Sequence, residues 1–343
     1  MDKTTYLNHY YFVSVLSLLL CFLPAGKYFS FDSIRAGAPS RVAVPRWTID
    51  SLKLLMGIVY FYAGIAKLNK DWMIDAMPLK IWLPGRYDLP IVGHLLEQEW
   101  VAYAFSWGGA AYDLLIPFAL LYPRTRKVAF VFVVGFHLAT RVLFPIGMFP
   151  YIMIVSALIF FDSGFHQRAL QRLGQWCSYP FAAKASAVLD VDFSWRRIRS
   201  LAVLALLTVQ VVLPFRYLLY PGDLFWTEQG YRYSWRVMLM EKAGSATFTI
   251  VDGKTGSSFV VDNRDFLTSF QEKQMSTQPD FIVEYAHYLR DHFASQGHQN
   301  IEIYVDSYIA LNGQRSKPYI DPTIDLTNVQ DDLTHKEWIL PGE

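Results

Sequence analysis

The sequence is short of charge. Only 18% of its 343 residues are Asp, Glu, Lys or Arg, while 53% are hydrophobic, where an ordinary soluble domain carries roughly a quarter charged residues. The acidic residues are also unevenly spread. Most follow Pro221, and residues 10–23, 54–65, 114–121, 128–138, 152–161 and 201–213 contain none. A net charge of +1 gives no reason to expect a polyanionic partner. No basic stripe interleaved with aromatics points to nucleic acid. Only two cysteines occur, Cys21 in an apolar run and Cys177 in a polar loop; their placement argues against a shared disulfide, and no His, Cys or Asp set has metal-ligand spacing. A Ser/His/Asp set, a glycine-rich phosphate loop, internal repeats and low-complexity segments are all missing. These absences exclude the common soluble hydrolase and nucleotide-binding classes.

What is present is membrane-like. A helix needs about 20 residues to cross ~30 Å of hydrocarbon, and extending the apolar runs into flanking Tyr, Trp and Gly predicts six spans near residues 8–24, 49–68, 102–122, 127–144, 149–161 and 200–220. The fifth is short enough to be tilted or half-inserted. No small-residue cleavage site follows Leu23, so the first run reads as a retained helix. Arg124, Arg126 and Lys127, and the loop with Arg168, Arg172, Lys184, Arg196, Arg197 and Arg199, place two loops in the cytoplasm by the positive-inside tendency. By alternation, Met1, residues 67–100 and everything after Tyr220 fall on the other side.

After Pro221 the pattern changes. Residues 246–250 and 257–261 flank Asp252-Gly253-Lys254-Thr255-Gly256, and residues 301–311 alternate up to Asn312-Gly313, which reads as strands and hairpins. Residues 280–295 are amphipathic at helical spacing. The expected architecture is a multi-pass α-helical membrane bundle, residues 1–220, followed by an extracytoplasmic β-rich domain, residues 221–343, with at least one helix.

Three places carry candidate chemistry. Lys67 ends the helix Tyr60-Phe61-Tyr62-Ala63-Gly64-Ile65-Ala66-Lys67; its amine either snorkels to the interface or, held away from water, keeps a neutral fraction that accepts protons. Asp113, His137 and Arg141 lie within apolar runs, where ionisable groups mark function or form structural pairs. The segment Trp226-Thr227-Glu228-Gln229-Gly230-Tyr231-Arg232-Tyr233-Ser234-Trp235-Arg236 is either an interfacial aromatic belt or a place where Arg232 and Arg236 receive a carboxylate between aromatic walls.

These residues, with Asp71-Trp72, Gly108-Gly109, Asp113-Leu114, Phe136-His137, residues 143–149 and Tyr319-Ile320-Asp321-Pro322, resemble the vitamin K-dependent gamma-glutamyl carboxylase family and its bacterial relatives. The resemblance implies that Lys67 is the base that deprotonates a reduced vitamin K, phylloquinol or menaquinol. It further implies that reaction with O₂ yields a strong base that removes a glutamate γ-proton, after which CO₂ adds and the quinone leaves as its epoxide. A dry site open to the bilayer suits that chemistry. Tyr231 and Trp235 are then substrate contacts, Asp113, His137 and Tyr62 cofactor contacts, and the partners are the lipid bilayer and a glutamate-containing peptide or protein. Lys27, the second catalytic candidate, falls where the family often pairs a histidine with its lysine, Met240 where it has a second histidine, and Ala66 where the animal enzymes have a lysine. The departures keep two further readings open: a quinol epoxidase without carboxylation, and a membrane binding or transport protein.

Overall fold

The computed structural model describes residues 7–27, 31, 35, 42–176, 189–190 and 196–342. Met1, Cys177, Lys184 and part of the basic loop expected in the cytoplasm lie outside the described residues. The chain divides into two compact units, one made of Leu7–Ala66 and Trp107–Leu213, the other of Lys67–Ser106 with the residues from Pro214 onward.

The helical unit contains α1 (Asn8–Phe22), α2 (Arg46–Ala66), most of α3 (Glu99–Leu121), α4 (Arg126–Leu143), α5 (Phe149–Ala157), α6 (Ser163–Trp176) and α7 (Arg196–Val212). In α2 the buried residues Leu55, Met56, Val59, Tyr60, Ala63 and Gly64 recur at helical spacing, which gives the helix one inward stripe. Gly64 is needed where α2 meets α3, because a Cβ there would lie 2.7 Å from Leu114 Cγ and 3.0 Å from its backbone nitrogen. Polar pegs tie the first two helices to α7: Tyr11 Oη donates to Gln210 Oε1 at 2.7 Å, and Tyr62 Oη donates to the Val211 carbonyl at 2.6 Å. Leu115, Phe118, Val131, Phe132 and Leu204 point outward and are exposed, as lipid-facing side chains are.

Among the described residues, three helical stretches, Arg46–Ala66, Glu99–Leu121 and Arg197–Leu219, are long and apolar enough to cross a membrane. Phe149–Phe160 and Ser163–Trp176 make a fourth if their 118° bend is counted as one broken span. Six were expected, and the difference has physical reasons. The 15 residues of α1 reach only about 22 Å at 1.5 Å per residue, and the 18 residues of α4 carry Arg126, Lys127 and Arg141. Arg126 moreover has a local structural task. Its Nε and Nη2 donate to the Leu120 and Leu121 carbonyls at 2.9 and 3.0 Å, satisfying the orphan acceptors at the end of α3.

The other unit is mixed rather than β-rich. Its four-stranded antiparallel sheet is built from β1 (Lys242–Asp252), β2 (Ser258–Val260), β3 (Ile301–Leu311) and β4 (Lys317–Pro318), in the order β2-β1-β3-β4. Only β1 and β3 are long, paired along eleven residues from Lys242↔Leu311 to Asp252↔Ile301. Ala246, Phe248 and Ile250 alternate inward on β1, and Ile303, Val305 and Ile309 on β3, the period of two that the sequence predicts. Helices α8 (Ser269–Met275) and α9 (Pro279–Ser295) belong to this unit. Thr268 and Gln271 form a reciprocal capping box on α8, and Phe281, Ile282, Tyr285, Ala286 and Leu289 of α9 complete the core against the sheet.

Candidate active site

Lys67 follows directly on α2 and is only 7% exposed. A lysine that snorkels keeps its ammonium in water; this one lies with Nζ 5.3 Å from the centroid of the Trp72 ring. Trp72 is itself buried and fixed at both ends. Its Nε1 donates to the Ser106 carbonyl at 2.9 Å, the Ser106 hydroxyl donates back to the Trp72 carbonyl, and Asn69 accepts from the Trp72 amide at 2.9 Å. The neighbouring Asp71 accepts from Asn312 Nδ2 at 2.6 Å, while Asn312 Oδ1 accepts from the Glu241 amide at 2.9 Å. Trp82 Nε1 donates to Glu241 Oε2 at 2.8 Å. The loop that begins with Lys67 is thus fastened to the end of the β1–β3 ladder.

In the helical unit, two of the three singled-out ionisable residues are buried, Asp113 to 6% and His137 to 3% exposure, whereas Arg141 is exposed. His137 Nε2 sits 3.0 Å from Tyr60 Oη, inside a ring cluster in which Tyr112 stacks on Phe136 at 3.9 Å and Phe149 lies 6.2 Å from His137. The buried Tyr112 hydroxyl lies beside that of Tyr60 without completing a well-aligned hydrogen bond. Tyr62, expected at the cofactor, spends its hydroxyl on the Val211 carbonyl. Lys27 closes a short turn, Ala25–Lys27.

The segment after α7 has an unusual backbone. Glu228, Gly230, Tyr233, Trp235 and Met238 all have φ between +53° and +84°, a region where a bulky side chain is a genuine outlier. Gly230 is required for a second reason: a Cβ there would come within 2.7 Å of the Tyr217 backbone. Trp235 is 1% exposed, and Tyr231 is half-buried with its carbonyl accepting from the Ser234 hydroxyl. The two arginines are engaged. Arg232 pairs with Asp280, donates to Gln278 Oε1 at 2.6 Å and covers the Phe281 ring at 4.5 Å; Arg236 donates to the Pro214 carbonyl at 3.3 Å and covers Tyr217 at 4.5 Å. A carboxylate arriving at Arg232 competes with Asp280. Arg232, Tyr233 and Glu228, with Arg216 and Tyr220, line a cavity of about 270 Å³.

Sequence reasoning passed over the ion pair beneath this segment. Lys242 Nζ donates to Glu228 Oε1 at 2.7 Å and to the Trp226 carbonyl at 2.9 Å, 5.3 Å from the Tyr319 ring centroid, and both charged side chains are buried. Burial pushes the Lys242 pKa below the ordinary lysine value, and the Glu228 charge opposes that fall. Tyr319 also donates to the Trp226 carbonyl, at 3.0 Å, and meets the Trp226 ring edge-on at 5.3 Å. Two separated motifs of the sequence therefore lock one another: Trp226-Thr227-Glu228 and Tyr319-Ile320-Asp321-Pro322. Both motifs stand out in the sequence, but their partner Lys242 stands in no motif.

Apolar spanning helices followed by a mixed domain with a strained aromatic entry define a membrane protein with an extracytoplasmic C-terminal domain. A family model for the vitamin K-dependent gamma-carboxylase lumenal domain matches residues 195–343, and an HTTM domain model matches residues 1–164. The chain belongs to the vitamin K-dependent gamma-carboxylase family. No solved structure matches it.

Proposed function

We propose that this chain is an integral membrane enzyme that couples oxidation of a vitamin K-type quinol, phylloquinol or menaquinol, to carboxylation of glutamyl side chains. The observation that carries the reading is Lys67: a lysine at the end of an apolar helix, 7% exposed and set on a tryptophan face, in a chain that the two family models match over residues 1–164 and 195–343. The proposal includes the full membrane domain, residues 1–220 with α1 and α4 also immersed, and an extracytoplasmic domain from residue 221.

A quinol is a flat apolar ring with two hydroxyls, and the aromatic cluster around His137 fits such a group: ring walls, the Tyr60–His137 pair, and a Tyr112 hydroxyl still lacking a well-aligned partner. Asp113, His137, Tyr60 and Tyr112 would hold it, whereas Tyr62 contributes through helix packing. When bound, the quinol would supply the electrons and O₂ the oxidising power, and their reaction would furnish the strong base that the glutamate γ-proton requires. Lys67 would be the group that accepts a quinol hydroxyl proton at Nζ, and the Trp72 ring would stabilise the resulting ammonium by cation–π attraction, worth about 2 kcal/mol when desolvated. Tyr231 and Trp235 form the walls for the glutamyl side chain, Arg232 and Arg236 give a positive border for its carboxylate, and CO₂ adds once the proton has left.

Replacing Lys67 by Ala is expected to abolish epoxide formation in membranes supplied with menaquinol or phylloquinol, and unchanged turnover would reject Lys67 as the base. One observation favours a second reading, epoxidation without carboxylation: Met240, not a histidine, follows Trp235 at the position where the resemblance places one. Incorporation of isotopic CO₂ into a glutamate peptide, measured beside epoxide, separates the two.

A further inference from the structure

The turn that follows β3 buries its first central side chain. In Leu311-Asn312-Gly313-Gln314 the Gln314 amide donates to the Leu311 carbonyl at 3.0 Å, and φ is 48° at Asn312 and 74° at Gly313. Positive φ at both central positions accounts for an asparagine or a glycine. It does not account for burial, and Asn312 is only 4% exposed.

The two ends of the Asn312 amide meet different parts of the unit. Lys242↔Leu311 is the last regular pair of the ladder. In the next, the Asn312 N–H donates to the Glu241 carbonyl at 2.8 Å, but the return bond from the Glu241 N–H, at 2.9 Å, goes to Asn312 Oδ1. The side chain stands in for the backbone carbonyl that a regular pair would offer. Its other end, Nδ2, donates to Asp71 at 2.6 Å, a charge-assisted bond and so a strong one. These partners fix the orientation of the amide, because the reversed one would set its oxygen against a carboxylate and its NH₂ against an N–H.

Asp71 lies in the short helix Lys70–Met73, capped by Asn69, and the next residue, Trp72, is the ring beneath Lys67 Nζ. Ser106 holds this helix from one side through the Trp72 indole at 2.9 Å. A single tether leaves a helix of one turn free to swing about it, and Asn312 supplies the second. Glu241 lies just beyond the strained segment 228–238, so one amide links the chain that carries Tyr231 and Trp235 to the chain that carries Lys67.

We propose that Asn312 is a positioning residue: through Asp71 it keeps Lys67 seated on Trp72 and out of water. That this seat serves catalysis rests on the function proposed above. The rest of the loop has fasteners of its own, since Trp82 Nε1 donates to Glu241 at 2.8 Å and a Cβ on Gly313 would stand 3.5 Å from Ile81 Cδ1. Loss of the Asn312 amide thus loosens the Lys67–Trp72 turn without detaching Ile81 and Trp82.

The test is pulsed acetylation of amines on the full chain in lipid nanodiscs, read by mass spectrometry, with exposed Lys254 and buried Lys242 as references in the same unit. Asn312→Gly keeps the left-handed backbone and loses both side-chain bonds. In it Lys67 should react about tenfold faster than in the unaltered chain, while Lys254 and Lys242 keep their rates. Asp71→Ala should match it, and Asp71→Asn, which retains an acceptor, should recover most of the protection. Asn312→Gly combined with Asp71→Ala should be no faster than either alone, because both remove one bond. An unchanged Lys67 rate in Asn312→Gly overturns the proposal, as does an equal rise at Lys242, which would mean that the whole unit has loosened. Quinol epoxidation on the same samples keeps the two ideas apart: in Asn312→Gly kcat should fall about tenfold with KM for the quinol unchanged. Faster Lys67 labelling with undiminished kcat supports the seat and removes Lys67 as the base, whereas slower turnover with unchanged labelling removes the seat alone.

Discussion

The β1–β3 ladder and the segment from Glu228 to Met238 lie in the same unit and are built on opposite terms. Along β1, side chains alternate, pairing is regular for eleven residues, and no residue among them has positive φ. In the eleven residues from 228 to 238, four non-glycine side chains are held left-handed, each costing of order 1–3 kcal/mol. Such a conformation persists only where its surroundings dictate it. Here the dictating contacts are the Glu228–Lys242 pair, the Arg232–Asp280 pair and the burial of Trp235. The ladder is what local preference makes; the segment is what tertiary contacts impose, and strain of that kind gathers where a site is being shaped.

The contrast breaks most sharply at Lys242. Lys242→Met leaves Glu228 buried and charged without its cation, an expected loss of about 3–5 kcal/mol, read as a large fall in melting temperature of the detergent-solubilised protein. The double replacement Glu228→Gln with Lys242→Met should recover more than half of it. Arg264→Ala, at the exposed Asp262 pair beside the ladder, should leave the melting temperature unmoved. If Lys242→Met is equally silent, the pair does not hold the segment. A smaller effect is expected at the junction of ladder and loop. Asp71→Ala removes a charged acceptor from the buried Asn312 amide, costing about 1.5–3 kcal/mol, and on the proposed function it should lower quinol turnover because the Lys67 loop loses an anchor.

How much of this could be read in the chain divides along the same line. Strand β3 falls on residues 301–311 as predicted, because alternation is a local signal and Asn312-Gly313 closes it with left-handed φ of 48° and 74°. The long helices α2, α3 and α7 were legible as apolar runs, and Lys67 stood out because a charge follows one directly. The illegible part is long-range. Asp71 meets Asn312 across 241 residues and Tyr319 meets the Trp226 carbonyl across 93, and no spacing rule connects them. Nor does any local pattern announce positive φ at Tyr233 or Trp235, since these are residue types that ordinarily avoid it. The surplus of predicted spans has a plainer origin: hydropathy marked α1 although it has only 15 residues and α4 although it carries Arg126, Lys127 and Arg141, and it cannot see the 118° bend that follows Phe160.

Glycine substitution sharpens the comparison by its sign. Tyr233 is 40% exposed with φ of 60°, so Tyr233→Gly gives up little burial and relieves about 1 kcal/mol of backbone strain; stability should hold or rise slightly. Thr247→Gly in the regular strand should cost about 1 kcal/mol through lost strand preference and added unfolded-state freedom. Equal losses at both positions would mean that the segment is not strained in the way its dihedral angles state.

The smallest expected effect concerns pH, at the far end of β1. A hydrogen bond with His298 Nδ1 at 2.9 Å, helped by the Lys254 and Thr255 amides, holds the Asp252 carboxyl below the ordinary carboxylate range. A carboxylate whose pKa is lower folded than unfolded contributes stability that is complete above the unfolded value, about 3.9, and is lost as pH falls through the folded one. His298→Ala withdraws the largest contribution to that depression, so stability near neutrality should fall, the loss should shrink as pH drops through the folded pKa, and the acid limb of the stability profile should become shallower. Glu228 and Lys242, whose charges pair with each other and not through Asp252, should leave the limb in place when replaced together; if their double variant moves it as much as His298→Ala does, acid lability belongs to the strained segment and not to the turn that closes the ladder.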